Sequence, residues 1–224
     1  MDNRIENVSQ VAYSFKQTLY NSYDSVIQVV ENNIEGDLVE CGVAAGSQIA
    51  CFQFALIDKN EVEKRKIWAF DSFEGIPLAG EKDDQQPGIG DISHDKTLPL
   101  NERLVSSGIT CHSLESVVNN FKSWNLPLSN VEFVKGWFQN TIEETSKSID
   151  KISVLRLDGD LYESTYICLE YLYPKISKGG VLIIDDYALT GCRLAVEDYF
   201  KKKRKKLPLF ESVDNHGVVF TIVK

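Results

Sequence analysis

In this 224-residue chain, six carboxylates stand at the ends of short apolar runs. Glu40 lies in Asp37-Leu-Val-Glu-Cys41, Asp71 follows Lys66–Phe70, Asp158 and Asp160 follow Ile152–Leu157, and Asp185 and Asp186 follow Gly180–Ile184. Asp158, Asp185 and Asp186, meeting from adjacent strand ends, suit a hard cation such as Mg²⁺, which takes oxygen ligands in an octahedron. The alternative use of such aspartates is to cap turns and helices. Two neighbouring runs that each end in a pair favour the cation, because crowded like charges need a positive partner or a proton. Gly42 and Gly46 allow close backbone approach to a ligand, and Asp71 is placed to accept both hydroxyls of a ribose. That ribose belongs either to a nicotinamide dinucleotide or to S-adenosylmethionine. Ala44 and Ala45 interrupt the dinucleotide pattern G-x-G-x-x-G, and no phosphate-gripping Gly-Lys-Ser/Thr is present. Glu40 fits a ligand that carries positive charge, as the sulfonium and amino group of S-adenosylmethionine do.

The elements that must position these acids alternate between strand and helix. Strands are predicted at Asp37–Cys41, Lys66–Phe70, Val131–Val134, Ile152–Leu157 and Gly180–Ile184. Two more, at Leu207–Val213 and Val218–Val223, flank an Asp214-Asn-His-Gly217 turn. Helices are predicted within Val11–Glu35, over Gln48–Asp58, Ser113–Trp124 and Ser164–Ile176, and along Cys192–Phe200, where apolar residues step at helical spacing. This alternation predicts a mostly parallel sheet with helices on both faces. Ligands of such sheets gather beyond the carboxyl ends of the strands. From Glu74 to Leu100 the periodicity stops, and a loop this long is usually functional. The expected organisation is one domain over 1–224, with an N-terminal helical cap (1–35) and a lid-like insertion (74–112).

Composition narrows the function classes. With 43% hydrophobic and 25% charged residues the chain reads as globular. Thirty-three acidic against 24 basic residues give a net charge of −9, which argues against general nucleic-acid binding. The scattered, odd set of five cysteines supports neither a zinc knuckle nor a disulfide framework. No apolar run approaches the ~20 residues of a membrane helix, and the N-terminus is polar, so a soluble cytoplasmic protein is expected.

Five strings carry a resemblance. Leu38-Val-Glu-Cys-Gly-Val43, Phe70-Asp-Ser-Phe-Glu-Gly75, Lys135-Gly-Trp-Phe138, Leu155-Arg-Leu-Asp-Gly-Asp-Leu-Tyr-Glu-Ser-Thr165 and Ile184-Asp-Asp-Tyr187 with Gly191-Cys-Arg193 resemble the macrocin O-methyltransferase family, in order over about residues 36–200. The D-G-D-x-Y-x-S-T and D-D-Y strings are its most specific part. Ala44-Ala-Gly-Ser47 departs from the family's Trp-Arg-Gly-Gly-like continuation, at the methionine end of the cosubstrate site. The resemblance implies a class I, Rossmann-like methyltransferase with a seven-stranded sheet and an antiparallel C-terminal hairpin. It also implies S-adenosylmethionine and Mg²⁺ as cofactors and a sugar hydroxyl of an antibiotic or glycan precursor as acceptor.

Carried over by position, the resemblance implies Asp158, Asp185 and Asp186 as metal ligands and Asp160 as general base. Glu40, Gly42, Ser47, Asp71 and Ser72 would line the cosubstrate. A cation that lowers the pKa of a sugar hydroxyl, with a carboxylate to take its proton, makes chemical sense of this set. Two adjacent hydroxyls can chelate one ion, so a vicinal diol is the expected acceptor. Tyr13, Tyr20 and Tyr23 are candidates either for stacking on the acceptor or for core packing. Trp137 is placed between adenine and core in the same way, and His94 between the acceptor site and idle exposure. Lys201-Lys-Lys-Arg-Lys-Lys206 reads as a solvated helix end or as a lure for an anionic acceptor. A homo-oligomer is expected. Two competitors stay in view. A catechol-type methyltransferase would place its lysine base where Leu161 stands, and a scaffold that kept the fold would have no reason to retain all four aspartates.

Overall fold

The computed structural model describes residues 3–83 and 98–223. The first elements are helices α1 (Asn3–Val8) and α2 (Lys16–Glu31), strand β1 (Asp37–Cys41), α3 (Ser47–Asp58) and β2 (Ile67–Asp71). Next come α4 (Leu100–Arg103), α5 (Leu114–Ser123), β3 (Val131–Lys135), α6 (Phe138–Ser146), β4 (Ile152–Leu157) and α7 (Tyr162–Leu172). A 3₁₀ turn over Tyr173–Lys175 leads into β5 (Ile176–Ile184), α8 (Thr190–Lys202), β6 (Glu211–Ser212) and β7 (Val219–Ile222).

The seven strands form one sheet in the order β3-β2-β1-β4-β5-β7-β6. Strands β1 to β5 pair in parallel, while β7 runs antiparallel to both β5 and β6. This is the expected Rossmann-like sheet with its C-terminal hairpin. The order reverses direction between β1 and β4, which makes their carboxyl ends the switch point where a crevice opens.

All six residues of β4 are buried, Ser153 and Arg156 among them, as in a strand covered on both faces. One layer, formed by α1, α2, α3 and α5, packs Leu19, Val26, Phe52 and Phe121 against Leu38, Val154 and Ile183. The other, formed by α6, α7 and α8, packs Ile142, Leu169 and Tyr199 against Val39, Leu155 and Leu182. Each such side chain, fully buried, contributes about 1.5–3 kcal/mol of transfer free energy. The outer strands are modest. β3 exposes Glu132 and Lys135, and β6 is two residues long.

Four expectations need correction. Residues 138–146 form a helix where the sequence pattern predicts no element. The helix expected to reach Ile176 ends at Leu172, and Pro174 sits in the tight turn that follows, since its ring cannot continue an α-helix. As a result β5 begins at Ile176 rather than Gly180. The strand expected over Leu207–Val213 pairs only at Glu211–Ser212, and Pro208 offers no N–H to extend the ladder. Within 74–112, the expected lid-like insertion, the described residues form α4 and a bridge between Pro77 and Ser106. His94 and the rest of 84–97 lie outside the described residues.

Candidate functional site

The carboxyl ends of β2, β1, β4 and β5 are zipped together beyond the last ladder residues. Gly42 N–H donates to the Phe70 carbonyl at 2.9 Å, Asp158 N–H to Cys41 at 2.8 Å and Asp185 N–H to Leu157 at 2.8 Å. The acid-bearing turns therefore leave the sheet side by side. Gly42 has φ +99°, and a Cβ there would lie 1.8 Å from the Asp158 carbonyl oxygen. Only glycine permits this approach of β1 to β4.

Above the switch point is a cavity of about 270 Å³. Asp158, Asp160, Asp185 and Asp186 line it on one side, and Gly42, Ala44, Asp71 and Ser72 on another. Tyr13, Ile76, Pro77, Ile109, Trp137 and Phe138 complete much of the wall. Asp160 adopts φ +55°, a left-handed conformation that Asp tolerates better than most residues. Its N–H donates to Asp186 Oδ2 at 2.8 Å, which ties the β4 turn to the β5 turn.

Carboxylate oxygens of Asp158, Asp160 and Asp186 lie within 4.8 Å of one another, the group among the described residues able to hold a metal. Burial raises the pKa of Asp160 well above the usual carboxylate range, and Asp158, Asp185 and Asp83 add repulsion. Asp186 is raised for the same reasons, burial first and then Asp160, Asp158 and Asp185. Three hard oxygen donors, desolvated and mutually repelling, fit a divalent cation.

Asp185, expected as a ligand, falls outside this three-acid group, and Asp160, expected as the base, falls inside it. Arg156 Nη2 donates to Asp185 Oδ1, and Nη1 donates to Asp158 Oδ2 at 2.9 Å and approaches Glu40 Oε1 at 3.4 Å. Burial lifts Asp185 to about 7 even though Arg156 pulls it down. Burial opposes the charge on Arg156, but Asp185, Asp158 and Glu40 outweigh it and keep the guanidinium protonated. Arg156 stands inside a strand rather than at its end, so position alone does not mark it, and its signal in the sequence is a cation within an otherwise largely apolar strand.

The residues expected at the cosubstrate separate into two groups. Gly42, Asp71 and Ser72 line the cavity, whereas Glu40 and Ser47 do not. Glu40 is fully buried beneath the floor, and burial raises its pKa strongly despite Arg156. Ser47 Oγ donates to the Val8 carbonyl at 3.2 Å, away from the cavity. Asp71 accepts N–H bonds from Val43 (2.7 Å), Ala44 (3.1 Å) and Phe73 (2.6 Å), so its carboxylate is held rigidly at the mouth of the β1 turn. Ser72 Oγ accepts from Glu74 N–H at 3.0 Å and donates to Gly75 at 2.8 Å.

Of the three tyrosines, Tyr13 lines the cavity and meets His112 Nε2 through its hydroxyl at 3.0 Å. Tyr20 and Tyr23 pack on the core. The basic run is a solvated helix end in which Lys203 pairs with Glu170 at 2.7 Å. All five cysteines are free thiols. Asp83, also missed, reaches from the loop to the site. Its Oδ2 accepts from Gly80 N–H at 2.8 Å and its Oδ1 from Tyr162 N–H at 2.7 Å, which caps α7 just past Asp160. Among the described residues no helix is long and apolar enough to cross a membrane.

Residues 6–221 match the family model for macrocin-O-methyltransferase (TylF). Demethyldecarbamoylnovobiocin O-methyltransferase of Streptomyces niveus is 40% identical over 186 residues, 82% of this chain and 65% of that protein. The chain thus spans just under two thirds of that relative. A Streptomyces olivaceus 4'-O-methyltransferase, named for a rhamnosyl-tetracenomycin C, is 38% identical over 85% of this chain and 67% of its own length. Among solved structures, the O-methyltransferase NovP has a TM-score of 0.76 at 35% identity, covering 93% of this chain and 80% of NovP.

Proposed function

This chain belongs to the macrocin O-methyltransferase family, and from that premise we propose that it methylates a sugar hydroxyl of a glycosylated natural product or glycan precursor. S-adenosylmethionine is the proposed donor and Mg²⁺ the proposed metal. The observation that carries this reading is the meeting of Asp158, Asp160 and Asp186 within 4.8 Å in the same cavity as Gly42 and Asp71. The relatives' names, which speak of demethyldecarbamoylnovobiocin and a rhamnosyl-tetracenomycin C, support a sugar-bearing acceptor.

The donor supplies an electrophilic methyl carbon, and a bound Mg²⁺ lowers the pKa of the acceptor hydroxyl. The rest falls to the chain. Asp158, Asp185 and Asp186 would hold the ion, and Asp160, which lines the same cavity, would take the proton from the acceptor oxygen. Asp71 keeps part of its acceptor capacity after three N–H bonds, because a carboxylate offers about four lone-pair sites, and it directs that remainder to the ribose. Gly42 lets the cosubstrate approach the backbone, and Tyr13 and Trp137 form walls that exclude water and orient the reactants. A catechol-type mechanism fits less well. Leu161, at the place of that class's lysine base, is buried in a small cluster with Ile76 and Ala79.

The test is methyl transfer to free sugars, nucleotide sugars and glycosides, followed by mass spectrometry with Mg²⁺ and with EDTA. Activity is expected only with the metal. Asp160→Asn is expected to lower turnover about 10²–10⁴-fold while S-adenosylmethionine affinity by calorimetry stays nearly unchanged. Wild-type turnover in Asp160→Asn overturns the base assignment, and full activity in EDTA overturns the metal.

A further inference from the structure

Arg156 is the largest fully buried side chain among the described residues. It stands on the central strand β4 with Glu40 as its cross-strand neighbour on β1. As a stability device it is poorly made. Arg156 Nε and Glu40 Oε2 are buried without hydrogen-bond partners, and an apolar pair of similar volume is often as stable as a buried ion pair, or more so. Its geometry is more telling. The two terminal nitrogens of one planar group each take one oxygen of a different cavity-lining aspartate, Nη1 the Oδ2 of Asp158 and Nη2 the Oδ1 of Asp185. Those aspartates come from turns on adjacent strands, and Asp158 is at the same time a member of the three-acid group.

We propose that Arg156 is the positioning residue of the cation site: its guanidinium fork fixes the spacing and orientation of Asp158 and Asp185 and leaves each its second oxygen for the ion. This rests on the cation in the function proposed above. A planar fork can hold two carboxylates at a set separation, whereas a lysine ammonium, a point charge on a flexible stem, cannot. Groups that orient metal ligands typically account for 10–100-fold in metal affinity.

A simple counter-charge would behave differently, and the two roles predict opposite signs. If Arg156 acted only through its charge, it would compete with the incoming ion. Arg156→Lys would then bind metal as wild type does, and Arg156→Gln, with a positive charge removed, would bind it more tightly. A positioning role predicts that both variants bind metal about 10–100-fold more weakly.

The experiment titrates Mn²⁺, in place of Mg²⁺, into wild type and both variants, with free Mn²⁺ read by electron paramagnetic resonance. S-adenosylmethionine affinity and far-ultraviolet circular dichroism serve as controls on the fold. Weaker Mn²⁺ binding in every variant that folds, with cosubstrate affinity kept, supports the proposal. Unchanged binding in Arg156→Lys or tighter binding in Arg156→Gln overturns it. If neither variant folds, wild type decides through the guanidinium resonances of Arg156. Rotation that stays hindered after Mg²⁺ is added supports the fork, and release on adding Mg²⁺ overturns it. No Mn²⁺ binding by wild type would instead remove the cation from the proposed function and the fork's role with it.

Discussion

The layers on the two faces of the sheet are built differently. Beneath α6, α7 and α8 the core is aliphatic and aromatic, and Tyr173, Tyr199 and Phe200 meet edge to face with centroids 5.1–5.6 Å apart. Beneath α1, α2, α3 and α5 the core is threaded by buried polar groups. Gln48 donates to Ser14 and Thr18, each at 3.0 Å, and accepts from Ser22 at 2.6 Å. Gln53 and Asn130 exchange bonds at 2.8 and 3.2 Å, and Glu40 faces Arg156. Apolar packing is non-directional, so the first layer mainly supplies stability. Buried polar groups must find specific partners, so the second fixes position. It is this layer that holds Ser14, a cavity residue, and Arg156 under the acids.

Substitutions can break or sharpen the contrast. The largest effect is expected where both layers meet the switch point. Gly42→Ala puts a methyl 1.8 Å from the Asp158 carbonyl at φ +99°, so both the thermal midpoint and methyl transfer should be lost. A variant that melts and turns over like wild type would deny that β1 and β4 need this approach. Next is Phe200→Ala in the aromatic layer, expected to cost about 3–5 kcal/mol. At about 2–4 °C per kcal/mol for a chain of this size, the midpoint should fall by roughly 10 °C, with KM unchanged in the surviving fold.

Gln48→Leu, in the polar layer, should reverse that pattern. It strands the buried Ser22 hydroxyl, which donates to Gln48, at about 1–3 kcal/mol, but its clearer mark should be a raised acceptor KM as Ser14 loses its anchor. If Gln48→Leu changes only the melting temperature, the division of labour between the layers is wrong. The smallest effect belongs to Asp83→Asn. An amide keeps one acceptor oxygen, so either the Gly80 or the Tyr162 bond is lost, at about 1 kcal/mol. Steady-state kinetics should show a modest fall in kcat, because Tyr162 follows the Asp160 turn directly.

What could be read in the sequence follows the same physics. Strands β4 and β5 announced themselves because double burial leaves largely apolar runs, Val154–Leu157 (interrupted by Arg156) and Val181–Ile184. Their ends located the acids. Helix α6 gave no such signal, since only Ile142 and Ser146 of its nine residues are buried and the rest are largely polar. The facing of side chains was also beyond a positional reading. Glu40 alternates with Val39 and Cys41, so it points into the polar layer with Leu38 rather than toward a ligand. Ser47 opens α3, yet its hydroxyl serves α1. Asp83 sits in an aperiodic stretch where neither period nor motif marks it, and its role depends on Tyr162, a partner 79 positions away.

The two rims of the sheet carry a consequence for life at high concentration. A neighbouring molecule that tried to add a strand would find Glu132 and Lys135 exposed along β3 at one rim and a β6 of only two residues at the other. Charge and brevity are both ways in which natural sheets discourage edge-to-edge association. Crowded solutions of this protein should therefore resist fibrous stacking through the sheet, and any self-association would have to use its helices or loops.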